Sequence, residues 1–83
     1  MEITVMFLGV LAEVAGSGTK HYSGVASFDD LMLRMRDEMP ALFYHDYFII
    51  INDAIPEGQI VLRDGDKITL VPSFAGNSFL TQA

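Results

Sequence analysis

The sequence contains no cysteine and few basic residues. Its 83 residues include 5 Lys and Arg against 11 Asp and Glu, which gives a formal net charge of −6 with neutral histidines. The lack of cysteine excludes a disulfide scaffold, a thiolate zinc site, an iron–sulfur cluster bound by the chain and a cysteine nucleophile. The acidic balance argues against binding of nucleic acid, because the surface repels phosphates, and it favours a basic protein partner.

Long hydrophobic segments are missing as well. The apolar run at residues 3–12 has about the length of a signal-peptide core, but no Lys or Arg precedes Lys20 to form the positive start that such a signal needs. The run is also shorter than the ~20 apolar residues of a membrane-spanning helix. We therefore expect a soluble, cytoplasmic protein with no membrane association.

One amphipathic helix is predicted at residues 28–39. Ser27 is a suitable N-cap, carboxylates follow in the first turn, and Pro40 disfavours continuation. Three methionines share the apolar stripe of this helix, and their spacing is that of core positions: Met32, Met35 and Met39. A further helical turn is expected at residues 11–15.

Residues rich in β-branched and aromatic side chains predict the strands. They are residues 2–8, 19–23, 47–51 and 67–71, with a short edge strand at 59–62. The run at 47–51 is continuously apolar, which suits a central strand covered on both faces, or on one face by a partner. Residues 41–46 are expected to be irregular, and Asp64-Gly65-Asp66 to form a hairpin turn.

Two strands on each side of one crossing helix predict an α+β fold. We expect the first strand to pair with the last, parallel and at the centre of the sheet, because crossover connections are right-handed. This arrangement is the β-grasp, or ubiquitin-like, roll, with a mixed four- to five-stranded sheet packed on one main helix. We expect the β-grasp domain to span residues 1–76 and a C-terminal tail to span 77–83.

The polar residues predict neither a catalytic site nor a metal site. His21 and His45 lie on different segments without a carboxylate at ligand spacing, so each is interpreted as structural. Gly16-Ser17-Gly18 lacks the lysine and the following helix of a phosphate loop and is interpreted as a turn.

Several apolar residues of the first and last strands are predicted to point away from the helix. They are Met6, Leu8, Val71 and Phe74, with Pro72 beside them. They are either tolerated exposed apolar surface or one contiguous patch for binding a protein. Because the two strands should be neighbours, the sequence favours a partner-binding surface next to the C-terminal tail.

The order of several short motifs is similar to that of a known family. The motifs occupy residues 5–8, 11–16, 28–31, 51–52, 62–68 and 70–76. In this order they resemble the MoaD/ThiS family of ubiquitin-like sulfur carriers, and most of all the MoaD type, the small subunit of molybdopterin synthase. The resemblance covers roughly residues 2–77.

The resemblance implies a carrier without catalytic residues of its own. In this family a tail ending in Gly-Gly has its carboxylate activated as an acyl-adenylate, converted to a thiocarboxylate and used as sulfur donor in molybdenum cofactor biosynthesis. The implied partners are an adenylating enzyme of the MoeB/ThiF type, which uses ATP, and a MoaE-like large synthase subunit. The chain itself is expected to bind no cofactor and no metal.

The C-terminal residues depart from the family pattern. Gly76 occupies the position of the first glycine, but Asn77 occupies the second, and six residues follow it up to Ala83. Gly76 and Asn77 are therefore the candidate carrier terminus only if the chain is trimmed there. The alternatives to trimming are a homologue that has lost carrier chemistry and retains only binding, or an artificial end. For the sulfur acceptor, thiamine or another sulfur pathway is the alternative to molybdopterin. A ubiquitin-like interaction module without carrier chemistry is the hypothesis from a different functional class.

Overall fold

The computed structural model describes residues 1–73, and residues 74–83 lie outside the described part. The elements, in chain order, are β1 (Ile3–Phe7), α1 (Val10–Ala15), β2 (Thr19–Tyr22), α2 (Phe28–Glu38), a 3₁₀ helix (Pro40–Tyr44), β3 (Tyr47–Ile51) and β4 (Lys67–Pro72). Across residues 1–73, no helix has the length and apolar character needed to cross a bilayer. The predicted domain boundary at residue 76 lies outside the described residues.

The four strands form one mixed sheet in the order β2-β1-β4-β3. β1 and β4 are parallel neighbours at the centre, with Val5 opposite Ile68. Both outer pairs are antiparallel, and they place Val5 opposite Lys20 and Ile49 opposite Leu70. The predicted β-grasp fold and the central pairing of the first and last strands are thus confirmed.

The core lies between α2 and one face of the sheet. Alternate residues of the strands point into it, as the period of two in a β-strand requires. At most 2% of each of the following side chains is exposed: Ile3, Val5 and Phe7 in β1, Ile68 and Leu70 in β4, and Leu31 and Met35 in α2. Met39 is also buried and Met32 packs against the core, so the predicted role of the helix methionines is confirmed.

The ends of α2 follow the prediction to within one residue. The Ser27 hydroxyl accepts a hydrogen bond from the Asp30 backbone N–H at 3.1 Å. The Asp30 carboxylate in turn accepts from the Ala26 N–H at 2.9 Å and pairs with Arg34 at 3.1 Å. The bond from Ala26 and the charge of Arg34 lower the pKa of Asp30. Both interactions stabilise the first turn of the helix.

The Lys20–Tyr22–Glu38 cluster joins β2 to the end of α2. The Glu38 carboxylate accepts hydrogen bonds from the Lys20 ammonium and the Tyr22 hydroxyl, each at 3.0 Å. Burial and the bond to Glu38 raise the pKa of Tyr22, while the donors from Lys20 and Tyr22 lower the pKa of Glu38. The cluster therefore holds the first hairpin against the helix.

The predictions for residues 40–66 need three corrections. Residues 40–44 are a 3₁₀ helix and not irregular, because Pro40 can occupy the first position of a new helix. β3 is an edge strand rather than a central one, since β4 is its only neighbour in the described sheet. Residues 59–62 form no strand, so the turn at Asp64-Gly65-Asp66 joins a loop, not a hairpin, to β4.

Two leucines of α2 test the placement of this helix. Leu31 is 0% exposed and Leu33 is 60% exposed. Leu31→Ala should lower the free energy of unfolding by about 2–5 kcal/mol, because it leaves a cavity in the core. Leu33→Ala should change it by no more than about 0.5 kcal/mol. Urea unfolding followed by circular dichroism measures both, and equal losses would contradict this orientation of α2.

Candidate functional site

The end of β4 is the point from which the chain continues toward the candidate carrier terminus. On one side of β4, the Leu8 N–H donates to the Leu70 carbonyl at 3.1 Å. On the other side, the Ser73 N–H donates to the Asp46 carbonyl at 2.9 Å. The chain is thus held on the β1 side up to Leu70 and on the β3 side up to Ser73, the last described residue.

Three predicted site residues lie outside the described residues. These are Phe74 of the partner-binding patch and the candidate terminus, Gly76 and Asn77. Their predicted roles stay predictions. The structure defines the end of β4, from which the chain continues toward these residues.

Gly9 lies beside the end of β4, which is here called the exit because the chain continues from it beyond the described residues. Its φ of 54° and ψ of −132° are a combination that only glycine adopts readily, and it caps the start of α1. A Cβ added at Gly9 would lie 3.1 Å from Pro72 Cγ, so the missing side chain also lets Pro72 pack closely. Reasoning from the sequence missed Gly9, although a glycine between a strand and a helix is a signal for such a conformation.

The sheet face opposite α2, here called the open face, changes from polar to apolar along the strands. At one end the register aligns Thr4 with His21 and with Lys67. At the other end lie apolar residues of three strands and Leu8, here called the apolar end: Met6, Leu8, Phe48, Ile50 and Val71. This end is the one at which the chain leaves β4.

The apolar end joins residues predicted from the sequence with two that were missed. Leu8 and Phe48 are 40% and 42% exposed, and the other three side chains are half-buried. The structure brings Met6, Leu8 and Val71 together as predicted, and Pro72 lies beside them against Gly9. Their role in partner binding remains a prediction.

Phe48 and Ile50 were missed because every residue of the run 47–51 is apolar, so the sequence does not show which residues point to which face of the sheet. Only the pairing of β3 with β4 shows which of its side chains share a face with Val71, namely Phe48 and Ile50. A contiguous apolar surface of this kind, next to the exit of the chain, is suited to contact with another protein.

The carboxylates of the turn before β4 accept hydrogen bonds from other groups of the same chain. Asp66 accepts hydrogen bonds from the Arg63 N–H and the Asn52 side chain, each at 2.8 Å. Asp64 accepts from the Glu2 N–H at 2.7 Å. These bonds join the start of β1, the end of β3 and the start of β4, so the turn is a structural element.

The histidines and the glycine turn also make local contacts. His21 Nδ1 lies 3.1 Å from the Thr4 hydroxyl, and the His45 N–H donates to the Leu42 carbonyl. The Ser17 hydroxyl bonds both backbone groups of Thr19. Within residues 1–73, no group of three or more His, Cys, Asp or Glu side chains is arranged to hold a metal ion.

Solved structures of small proteins share this fold. A Pyrococcus furiosus protein provisionally described as molybdopterin converting factor subunit 1 superposes with a TM-score of 0.76 and 17% identity, over 87% of this chain and 97% of that one. Small archaeal modifier protein 1 of Methanosarcina acetivorans gives 0.71 and 24%, over 92% and 96%. A chain in the complex of subunits 1 and 2 of the Helicobacter pylori molybdopterin-converting factor gives 0.68 and 20%, over 88% and 95%.

At these identities the similarity establishes the fold. No protein-family model and no curated protein sequence matches the chain. The expected resemblance to MoaD proteins is confirmed at the level of the fold, and small archaeal modifier proteins share the same fold.

Gly9→Ala tests whether the backbone at the exit requires glycine. The substitution should cost about 1–3 kcal/mol in the free energy of unfolding, because alanine is strained at this φ and ψ and crowds Pro72. It should also shift the amide resonances of Val71 and Ser73. Gly18→Ala is the matched control, since its added Cβ meets no atom within 4 Å. An equally small effect of both substitutions would contradict the structural role of Gly9.

Proposed function

We propose that the chain is a ubiquitin-like sulfur carrier that works through a C-terminal thiocarboxylate at Gly76 or Asn77. The observation that carries this proposal is the geometry of the exit. The central strand β4 is hydrogen-bonded on the β1 side up to Leu70 and on the β3 side up to Ser73, and it ends beside Gly9 and next to an apolar surface. The fold shared with subunit 1 of molybdopterin-converting factors and with small archaeal modifiers supports it.

The proposed chemistry takes place in partner enzymes. An oxygen of the terminal carboxylate bonds to the α-phosphorus of ATP, and pyrophosphate leaves. A hydrosulfide-level sulfur then attacks the acyl carbon, and AMP leaves with the electrons of the broken C–O bond. A narrow channel that threads an extended chain to the reacting phosphate favours glycine near the terminus, because glycine has no side chain. The carrier supplies the carboxylate and a docking surface.

Within this class we favour the small subunit of molybdopterin synthase. The motif order of residues 62–76 is that of the MoaD type, and the Helicobacter pylori relative was solved together with a second subunit. The proposed partners are an adenylating enzyme and a MoaE-like subunit, both in the cytoplasm. Transfer of sulfur to thiamine or another acceptor is the alternative within the same class.

Trimming at Gly76 is the step that the proposal requires. A chain ending at Gly76 should support ATP–pyrophosphate exchange by its cognate adenylating enzyme, and the 83-residue chain should not, because Phe79 and Leu80 block threading. Gly76→Ala in the shortened chain is the control and should reduce the exchange.

Mass spectrometry of protein from its own cells gives a second readout. The expected masses correspond to termini at Gly76 or Asn77, with a fraction in which one oxygen is replaced by sulfur. An intact 83-residue mass, together with a shortened chain that the adenylating enzyme does not activate, would overturn the carrier function.

The apolar end of the open face favours a second candidate, a ubiquitin-like interaction module without carrier chemistry. Val71→Asp and Met6→Asp should abolish binding to a MoaE-like subunit in isothermal titration calorimetry, because each buries a charge in the contact. Val61→Asp, at a valine that is 75% exposed outside this face, is the matched control and should bind normally. Unchanged binding by both open-face variants would exclude this surface, whereas binding without activation of the terminus would favour the module.

A further inference from the structure

The outer edge of β3 is a second surface, distinct from the open face. Among residues 1–73, β3 has β4 as its one neighbouring strand, and its other side carries a single bridge between Ile51 and Ala54. Edge strands attract additional strands, and proteins usually protect them with lysine, proline, a bulge or a covering segment. Residues 47–51 are Tyr-Phe-Ile-Ile-Ile, with no charged residue and no proline. The sequence of this edge therefore contains none of the protective side chains.

The hydrogen bonds at both ends of β3 show which backbone groups point outward. The Asn52 N–H donates to Lys67, and the Asp46 carbonyl accepts from Ser73, so residues 46 and 52 use their backbone groups toward β4. Because the direction of backbone groups alternates along an antiparallel strand, the N–H and carbonyl groups of residues 48 and 50 also point toward β4. Those of Tyr47, Ile49 and Ile51 point to the outer edge.

The chain after β3 covers only one of these three residues. Asn52 and Asp53 have φ of 49° and 67° and reverse the chain, so that Ile51 and Ala54 exchange two hydrogen bonds of 2.8 and 3.0 Å. Continued pairing would place Pro56 opposite Ile49, and proline has no N–H to donate. Within residues 1–73 the pairing stops at this bridge, and no backbone hydrogen bond to the outward groups of Tyr47 or Ile49 forms.

The opposite edge of the sheet differs. The Gly18 carbonyl accepts from the Phe7 N–H, so residues 19 and 21 are the outward residues of β2. The Ser17 hydroxyl occupies both the N–H and the carbonyl of Thr19, at 3.2 and 2.7 Å. The loop before β2 therefore satisfies the outward backbone groups of Thr19, so this part of the β2 edge is less able to pair with an additional strand.

Charge identifies the kind of segment that the β3 edge can accept. Residues 37–62 contain five acidic residues and no Lys or Arg, and two of the five, Asp46 and Asp53, bracket β3. Of the nearby cations, Arg36 lies over the Phe43 ring, at 5.3 Å from its centroid, and the Lys67 ammonium lies 3.9 Å from the exposed Asp53 carboxylate. Two copies of this chain would bring these carboxylates and two charges of −6 together, which disfavours self-pairing.

We propose that the outer edge of β3 accepts an extended segment of a basic protein partner as a fifth strand. The segment hydrogen-bonds to the N–H and carbonyl groups of Tyr47 and Ile49, and its flanking Lys or Arg residues lie near Asp46 and Asp53. It extends the edge of β3 beyond the bridge between Ile51 and Ala54. This interaction is independent of the chemistry at the C-terminus.

The proposal can be tested on the 83-residue chain with a synthetic peptide. The probe is an acetylated, amidated Lys-Val-Thr-Val-Thr-Val-Lys, and the readout is amide hydrogen exchange by NMR. With the peptide at about ten times its Kd, exchange at Tyr47 and Ile49 should slow about tenfold. The same peptide with N-methyl groups on alternate residues should give no protection, because methylation removes the donors.

Charge variants provide the second arm of the test. Asp46→Asn with Asp53→Asn should weaken peptide binding several-fold at low salt, and added salt should remove the difference. Asp37→Asn, on α2, is the matched control and should bind like the unaltered chain.

Three outcomes would overturn the proposal. They are equal binding of the N-methylated peptide, protection at Met6 and Val71 or at β2 instead of β3, and absence of peptide binding. Concentration-dependent dimerisation in sedimentation, with protection of Tyr47 and Ile49 by a second copy, would replace the basic partner with this chain itself.

Discussion

The parallel pairing of β1 with β4 is the constraint on which the rest of the structure depends. It joins the beginning of the chain to the end of the described residues, so the two antiparallel outer strands, β2 and β3, and α2 must be arranged around it. Its two strands supply five of the most deeply buried side chains. A long-range pairing of this kind forms only when the intervening residues are ordered, which couples the position of the chain exit to the integrity of the whole core.

The same pairing gives the two sides of the sheet different roles. The alternation that directs Val5 and Leu70 into the core directs Met6 and Val71 to the open face. Since the apolar end of that face coincides with the exit of β4, a protein that receives the tail can contact both at once. The polar end, with Thr4, His21 and Lys67, is separated from the exit by the length of the strands.

Sequence patterns predicted those features that depend on neighbours along the chain. The spacing of Leu31 and Met35, the cap at Ser27 and the turn at Gly65 are local, and each was located within a residue or two. The predicted central position of β3 was wrong, because a continuously apolar run looks the same whether it is buried or lies at a sheet edge. The prediction of a strand at residues 59–62 was wrong for a related reason: strand propensity has no effect without an adjacent strand to pair with.

The sequence by itself determined the fold class, the absence of cysteine chemistry, the acidic charge and the family that the motifs resemble. Only the tertiary structure decided which apolar residues share a surface, because register across strands is set by contacts far apart in the sequence. It placed Phe48 and Ile50 beside Val71, and Gly9 against Pro72. It also left Tyr47 and Ile49 with outward backbone groups, since Pro56 cannot continue the hairpin.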